Sequence, residues 1–137
     1  MKIKILLSFL FSIFLLSSCM IQDDDIGAAD GNEVTYYLCR TKWDYVSDNS
    51  FGFYYQQEFT FYKNGSGVET YTDYSPGRVD SKNYNFNWYF VDGYFKDICI
   101  EYSPDNRIFF SDLRVDYYLL SGYLDGTYVE FVPYDFP

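Results

Sequence analysis

The sequence has no histidine, and this absence removes a large part of enzyme chemistry. Serine or cysteine nucleophiles with a histidine base, the common zinc sites and a neutral-pH histidine switch all require an imidazole. Basic residues are also few, 10 against 20 acidic ones, which gives a formal net charge of −10. A charge this negative disfavours binding to nucleic acid or to anionic lipid surfaces, so we expect no nucleic-acid partner.

Long apolar runs are scarce, and the one that exists lies at the start of the chain. Residues 5–16 are apolar apart from two serines, and they follow the basic residues Lys2 and Lys4. A positive segment followed by an apolar one is the pattern of a secretory signal. About 12 residues are too few for a spanning helix, which needs roughly 20. The sequence therefore predicts an exported protein.

The apolar run ends in Leu16-Ser17-Ser18-Cys19. This segment resembles the lipobox of bacterial lipoproteins, in which the signal is cut before the cysteine and the thiol receives diacylglycerol. The resemblance implies a signal peptide over residues 1–18 and an acylated Cys19 at the mature N-terminus. Two or more acyl chains anchor a protein stably, since each buried methylene contributes roughly 0.8 kcal/mol. The alternative is an ordinary signal peptide with a chance cysteine at its end.

Residues 19–33 hold the acylated cysteine and a polar stretch without periodicity, which predicts a flexible acidic tether. Asp23, Asp24 and Asp25 resemble the surface-export signal of Bacteroidetes lipoproteins. That resemblance implies an outer-membrane protein that faces the cell surface; the alternative is a solvated spacer. Loss of Lys2 and Lys4 with the signal leaves 20 acidic and 8 basic residues, a net charge of −12.

Cys39 and Cys99 are the other two cysteines. An exported compartment permits a disulfide between them. Closing a loop of about 60 residues would contribute roughly 4 kcal/mol in the chain-entropy model. The alternative is two separate buried thiols, because free cysteine behaves as a small apolar residue. The sequence leaves both alternatives open.

Residues 34–137 form the predicted folded domain, and aromatic residues dominate it. The chain has 17 tyrosines and 14 phenylalanines, which favour strands. Turn pairs such as Asn64-Gly65 and Asp125-Gly126 separate the aromatic segments. The pattern predicts about eight antiparallel strands, at 39–46, 52–63, 68–74, 83–91, 95–102, 107–111, 115–123 and 127–134. Between them we expect a polar loop over 75–82 and a tight turn at Asp92-Gly93, while 34–39 is a strand or a short helical lead-in.

Residues 83–91 give the clearest strand, since Tyr84, Phe86, Trp88 and Phe90 alternate with polar side chains. Eight such strands can close into an up-and-down barrel, which removes exposed edges; a β-sandwich is the alternative. Four features together resemble the lipocalin-like lipoproteins of Bacteroidetes: the strand with Trp43, the Asn64-Gly65 turn, the Phe-x-Trp strand, and the Gly-x-x-x-x-Phe pattern from Gly126 to Phe131 in the terminal strand. Lipocalins proper have Gly-x-Trp where this chain has Thr41-Lys42-Trp43.

For function, we expect a non-enzymatic module that binds a small apolar or glycan-like ligand in the barrel mouth or on a tyrosine-rich face. A site in the barrel requires a cavity on the order of 300 Å³ or more, lined by Phe86, Trp88 and their neighbours. The candidate ligand-binding residues are the ring side chains Trp88, Phe86, Tyr84, Phe59 and Phe61. The alternative is an interaction protein, such as an adhesin, an accessory subunit or an inhibitor, with an exposed tyrosine-rich face. The tyrosines for that face are Tyr36, Tyr37, Tyr45, Tyr54, Tyr55, Tyr117, Tyr118 and Tyr123.

We predict no catalytic residues, no metal site and no cofactor. Four glutamates lie in or beside strands, and a glycosidase would need two of them about 5–9 Å apart. They are Glu58, Glu69, Glu101 and Glu130, and a solvated strand face is the simpler interpretation. The segment at residues 48–50 and the acidic triplet lack the alternating oxygen ligands of a calcium loop.

Overall fold

A computed structural model of the protein describes residues 31–48 and 54–135. The predicted signal peptide, Cys19, the triplet Asp23 to Asp25 and residues 49–50 lie outside this part of the chain. The described elements are one helix and eight strands: α1 (Gly31–Cys39), β1 (Lys42–Asp48), β2 (Tyr54–Phe61), β3 (Ser66–Ser75), β4 (Arg78–Phe90), β5 (Ile98–Ser103), β6 (Asn106–Val115), β7 (Leu120–Leu124) and β8 (Thr127–Pro133).

The strands form one closed antiparallel up-and-down barrel. Each strand pairs with the next in sequence, and β8 closes the sheet by pairing with β1 through Trp43↔Pro133 and Asp44↔Val132. The predicted barrel is therefore confirmed, and the sandwich alternative is wrong. Closure pairs both sides of every strand along at least part of its length, which protects a strand-rich chain from edge-to-edge association.

Helix α1 closes one end of the barrel. Val34 and Leu38 are four residues apart, so they lie on one helix face, and both are buried in the core. The helix contacts β2 and β6, which lie across the barrel from each other. The Trp43 indole Nε1 donates a 2.9 Å hydrogen bond to the carbonyl of Leu38. Of the two alternatives for this segment the helix is observed, and it begins at Gly31, inside the predicted tether.

The barrel interior is packed with aromatic rings. An eight-stranded barrel is just wide enough for side chains to fill it or for one small ligand to bind. Phe59 lies 5.9 Å from Phe61, 6.0 Å from Phe86 and 5.5 Å from Phe131, measured between ring centroids. The buried rings are Trp43, Phe59, Phe61, Phe86, Trp88, Phe110 and Phe131. They confirm the inward faces that the alternation in β2, β4 and β8 predicts.

The predicted polar loop over 75–82 is wrong. β3 continues to Ser75 and β4 begins at Arg78, so the turn holds only Pro76 and Gly77. Gly77 has φ +77°, a conformation that favours glycine. β5 pairs with β4 only at residues 87–90, so the outer part of this hairpin has no β5 neighbour. Its exposed strands are therefore polar, and their polarity hides the strand signal.

Two connections also differ from the predicted ones. The expected tight turn at Asp92-Gly93 is a seven-residue loop over 91–97, in which the Asp92 carboxylate accepts from the backbone N–H of Lys96 and Asp97 at 3.1 Å each. The expected strand over 115–123 is broken, because residues 116–119 form a connection and β7 begins at Leu120. Local acceptors of this kind offer backbone N–H groups an alternative to strand pairing.

The two ends of the barrel differ. The closed end carries α1, the connections after β2, β4 and β6, and the chain after β8. We call the opposite end the open end, because it has no helix among the described residues; it carries the turns after β3, β5 and β7. The connection from β1 to β2 over 49–53 is at this end as well and lies outside the described residues. The backbone N–H of Tyr134 donates to the carbonyl of Lys42 at 2.9 Å, so the barrel strands begin and finish at the closed end.

Candidate functional site

The predicted ligand-binding residues divide between the core and the surface. Phe59, Phe61, Phe86 and Trp88 are only 1, 1, 3 and 7 % exposed, and they pack against one another. Trp88 also donates its indole N–H to the carbonyl of Tyr62 at 3.0 Å. A ligand at the barrel centre would have to displace these rings. The fifth candidate, Tyr84, lies nearer the open end and is 45 % exposed.

A row of tyrosine rings lines the inner wall towards the open end. Strand register places Gln57 opposite both Tyr45 and Tyr71, on the same inner face as the core rings. The Tyr55 and Tyr71 rings stack with centroids 5.3 Å apart, and Tyr45 lies 6.0 Å from Tyr55. All three rings are half-buried. The Tyr45 ring centroid also lies 5.8 Å from that of Phe131, so the row continues from the packed core towards the open end.

A hydrogen-bonded network lies beside this row. Gln57 Nε2 donates to Glu69 Oε1 at 2.7 Å, and the Tyr102 hydroxyl donates to Glu69 Oε2. The Tyr102 ring lies 5.9 Å from the core ring of Phe86. We call the six residues Tyr45, Tyr55, Gln57, Glu69, Tyr71 and Tyr102 the mouth cluster. A carboxylate, an amide and several phenols on a rigid sheet supply convergent polar groups beside apolar ring faces, as small-ligand sites require.

The environment holds phenols of the mouth cluster in their neutral form. Burial raises the pKa of Tyr102 well above its ordinary value, and the hydrogen bond to Glu69 raises it further. The neighbouring Tyr55 phenol raises the pKa of Tyr45, while burial followed by the charge of Asp73 raises the pKa of Tyr71. These hydroxyls therefore remain hydrogen-bond donors over the physiological pH range.

The four glutamates that could form a carboxylate pair lie on different surfaces. Glu69 faces the interior, whereas the other three lie on the outer wall, each bound to its own partner. Those partners are Lys42 at 2.9 Å from Glu58, Arg107 at 2.6 Å from Glu101, and the Tyr128 hydroxyl at 2.9 Å from Glu130. The structure thus brings no two of these glutamates together at a common cleft.

Two grooves run along the barrel wall, and no local sequence pattern marks either of them. One, of about 410 Å³, runs over the outside of β6 to β8 beside Arg114, Ser121 and the ring pair Tyr123 and Tyr128, whose centroids are 5.5 Å apart. The other, of about 380 Å³, crosses β3 to β5 and is lined by outward side chains and by the inward Phe86 and Tyr102. Their residues come from strands that are distant in sequence, so only the strand register could have revealed them. The inward direction of Tyr55 and Gln57 could have been predicted from the sequence, because these residues continue the alternation of Phe59 and Phe61.

Cys39 and Cys99 are both free thiols in the structure. Cys39 ends α1, and burial raises its pKa to about 11. Cys99 is fully buried and has Tyr89 and Phe109 as register partners on the outer wall. One thiol lies under the closed end and the other on the outside of the sheet. The structure therefore favours two separate thiols over the disulfide.

The predicted tyrosine face is not one surface. Tyr45, Tyr55 and Tyr37 are half-buried, and the other five are exposed. Tyr54 and Tyr123 lie on strands, whereas Tyr36, Tyr117 and Tyr118 lie at the closed end.

Among the described residues α1 is the only helix, and it is not long and apolar enough to cross a bilayer. Comparisons of the chain with protein-family models, with curated proteins and with solved structures gave no match.

Proposed function

We propose that this protein is a non-enzymatic binding module, anchored by acyl chains on Cys19 to the bacterial outer membrane and displayed on the cell surface. Its ligand is glycan-like and binds at the mouth cluster. The observation that supports this choice is the row of Tyr45, Tyr55 and Tyr71 beside the carboxylate of Glu69. Rigid aromatic faces next to fixed hydrogen-bonding groups match the apolar face and the hydroxyls of a sugar.

The packed core favours the glycan-like ligand over the apolar one. An apolar ligand gains most when it is enclosed in an apolar cavity. Here Phe86 and Trp88 already fill the position that such a ligand would take. At the mouth, an apolar ligand would also cover the polar atoms of Gln57 and Glu69, and covering polar groups without new hydrogen bonds is unfavourable.

The ligand claim is tested by screening the mature protein on an array of neutral and acidic oligosaccharides. The Tyr71→Ala variant should lose binding to any retained glycan by about tenfold, the effect of about 1.4 kcal/mol at a central aromatic contact. Tyr128→Ala is the matched control, because Tyr128 is an exposed ring on the outer wall. Equal binding by both variants would place the ligand elsewhere. Binding of a fatty acid but of no glycan would contradict the glycan proposal and support an apolar ligand.

The lipid anchor and the surface location are tested separately. Cys19→Ala should remain in the signal-bearing form and carry no acyl chains, as mass spectrometry of the intact protein would show. Replacement of Asp23, Asp24 and Asp25 by alanine should make the protein resistant to protease added to whole cells. Unchanged acylation in the first variant contradicts the lipobox, and unchanged protease sensitivity in the second contradicts the surface-export signal.

A second candidate is an interaction protein that uses aromatic side chains of the outer wall. Register places Tyr89, Cys99 and Phe109 in one row across β4 to β6, and Tyr123 pairs with Tyr128 on the next two strands. The four rings are 45–53 % exposed. Exposed aromatic groups of this kind are enriched in protein interfaces. Phe109→Ser should abolish capture of a protein partner while leaving glycan binding intact.

A further inference from the structure

The closed end carries most of the strongly exposed tyrosines. Of the six most exposed tyrosines in the described part of the chain, five lie there, with exposures of 52–73 %. They come from α1, from the connections after β4 and β6, and from the residue after β8. The five are Tyr36, Tyr94, Tyr117, Tyr118 and Tyr134. Segments far apart in sequence thus contribute the same side chain to one end of the barrel.

Cations accompany these rings. The guanidinium of Arg40 lies 3.5 Å from the centroid of the Tyr117 ring, and Lys42 Nζ lies 3.9 Å from that of Tyr134. Lys63 and Lys96 are exposed on connections at the same end. Half of the eight basic residues of the mature chain are therefore at the closed end. Tyrosine and long basic side chains are the groups that occupy the membrane–water interface, because each combines an apolar body with a polar tip.

Several carboxylates at this end already bind backbone N–H groups. Asp92 accepts from the N–H of Lys96 and of Asp97, and Asp116 accepts from the N–H of Leu119 at 2.9 Å. These hydrogen bonds stabilise the loops that carry the tyrosines. Glu33 and Asp135 are exposed at the same end, so its fitness for an interface depends on the tyrosine rings and the long basic side chains, not on a net positive charge.

We propose that the closed end rests on the headgroup region of the bilayer that holds the lipid anchor. This inference rests on the proposed acylation of Cys19. Residues 19 to 31 span at most about 40 Å when fully extended, so the tether reaches the closed end before any other part of the barrel. The anchor also keeps the bilayer at high effective concentration, so weak interfacial contacts are enough to orient the domain. The tyrosines then act as interfacial contacts, and the open mouth points away from the membrane.

The test uses fluorescence depth measurements on the mature acylated protein in vesicles of phosphatidylethanolamine and phosphatidylcholine, which carry no net charge. Part of the lipid carries bromine on the upper acyl chain, which quenches nearby indoles. Tyr94→Trp places a reporter at the closed end, and Tyr128→Trp places a matched reporter on the outer wall near the open end, at residues that are 73 and 53 % exposed. The native Trp43 and Trp88 are buried inside the barrel and give a common background.

Brominated lipid should remove most of the emission that Tyr94→Trp adds and leave the emission of Tyr128→Trp unchanged. Equal quenching of both variants, or quenching of neither in protein that floats with the vesicles, would overturn the docked orientation. An unquenched Tyr94→Trp that is shielded from iodide on whole cells would assign the closed end to a protein partner instead. Protein that does not float with the vesicles at all would reject the anchor, and this inference with it. Far-ultraviolet circular dichroism checks that both variants are folded.

Discussion

Replacing Gly67 by alanine should destabilise the barrel strongly. A Cβ added at Gly67 would lie 2.2 Å from two ring carbons of Phe86 and 2.8 Å from the carbonyl oxygen of Thr60. Carbon atoms in contact are normally about 3.5–4.0 Å apart, so the ring would have to move by more than about 1 Å. Neighbouring rings block that movement, because Phe61 lies 5.4 Å and Tyr102 lies 5.9 Å from the Phe86 ring.

Overpacking of a core costs about 1–3 kcal/mol, and the fixed backbone oxygen of Thr60 places this substitution at the upper end. For a domain of this size, about 3 kcal/mol lowers Tm by more than about 10 °C. The assay is urea unfolding of purified wild-type and variant protein, followed by tryptophan fluorescence. Gly93→Ala is the matched control, since an added Cβ there meets nothing within 4 Å. Its effect should stay within about 0.5 kcal/mol.

A second substitution separates a clash with the ring from a loss of backbone freedom. Phe86→Leu removes the ring atoms that the new Cβ would meet. The double variant Gly67→Ala with Phe86→Leu should therefore be more stable than the sum of the two single effects allows. Strictly additive effects, or a Gly67→Ala protein as stable as the wild type, would refute the close packing of Phe86 against β3.

Three further predictions concern titratable groups. Burial raises the pKa of Asp44, and the opposing carboxylate of Glu58 raises it further, so stability from this group is present at low pH and lost as pH rises through its folded pKa. Asp44→Asn should raise the free energy of unfolding at pH 7 and not at pH 3, as paired urea titrations would show; an equal gain at both pH values would contradict this. The raised pKa of Tyr102 means that its stability contribution is lost as pH increases above about 10. Tyr102→Phe should be less stable than wild type at pH 7 by about 1 kcal/mol, with a gap that narrows in alkaline unfolding experiments; a constant gap would argue against the shift. Cys99, which is fully buried, should react with a maleimide only after unfolding, whereas the half-buried Cys39 should react slowly in the folded protein because its pKa is raised to about 11. Mass spectrometry that finds the two cysteines linked would contradict the free thiols.

The barrel was predictable because its signals are local. Turn pairs such as Asn64-Gly65 and the alternation around Phe86 and Trp88 each lie within a few residues, and together they predict paired strands. The hairpin over 66–90 was underestimated for the same reason. Its outer part is polar on both faces, so no alternation marks it, and only the pairing of β3 with β4 defines it.

The interior could not be predicted in the same way. Alternation indicates that Phe59, Phe61 and Phe86 point inwards, but it does not say whether inward rings line a cavity or fill it. That outcome depends on distances between strands that are far apart in sequence, such as the contact of the Phe86 ring with Gly67. The same limitation applies to the mouth cluster, where Glu69 and Tyr102 are 33 residues apart and their hydrogen bond depends on barrel closure.

The even number of strands gives the domain its direction. In an up-and-down barrel each strand reverses the chain, so eight strands return the C-terminal end to the side where β1 began. The hydrogen bond between Tyr134 and Lys42 joins these two points at 2.9 Å. Helix α1 precedes β1 and is therefore confined to that side, where it closes the barrel. A ligand site at this end would compete with the helix and, under the proposed docking, with the bilayer. Among the described residues no helix covers the opposite end, and the mouth cluster lies towards it.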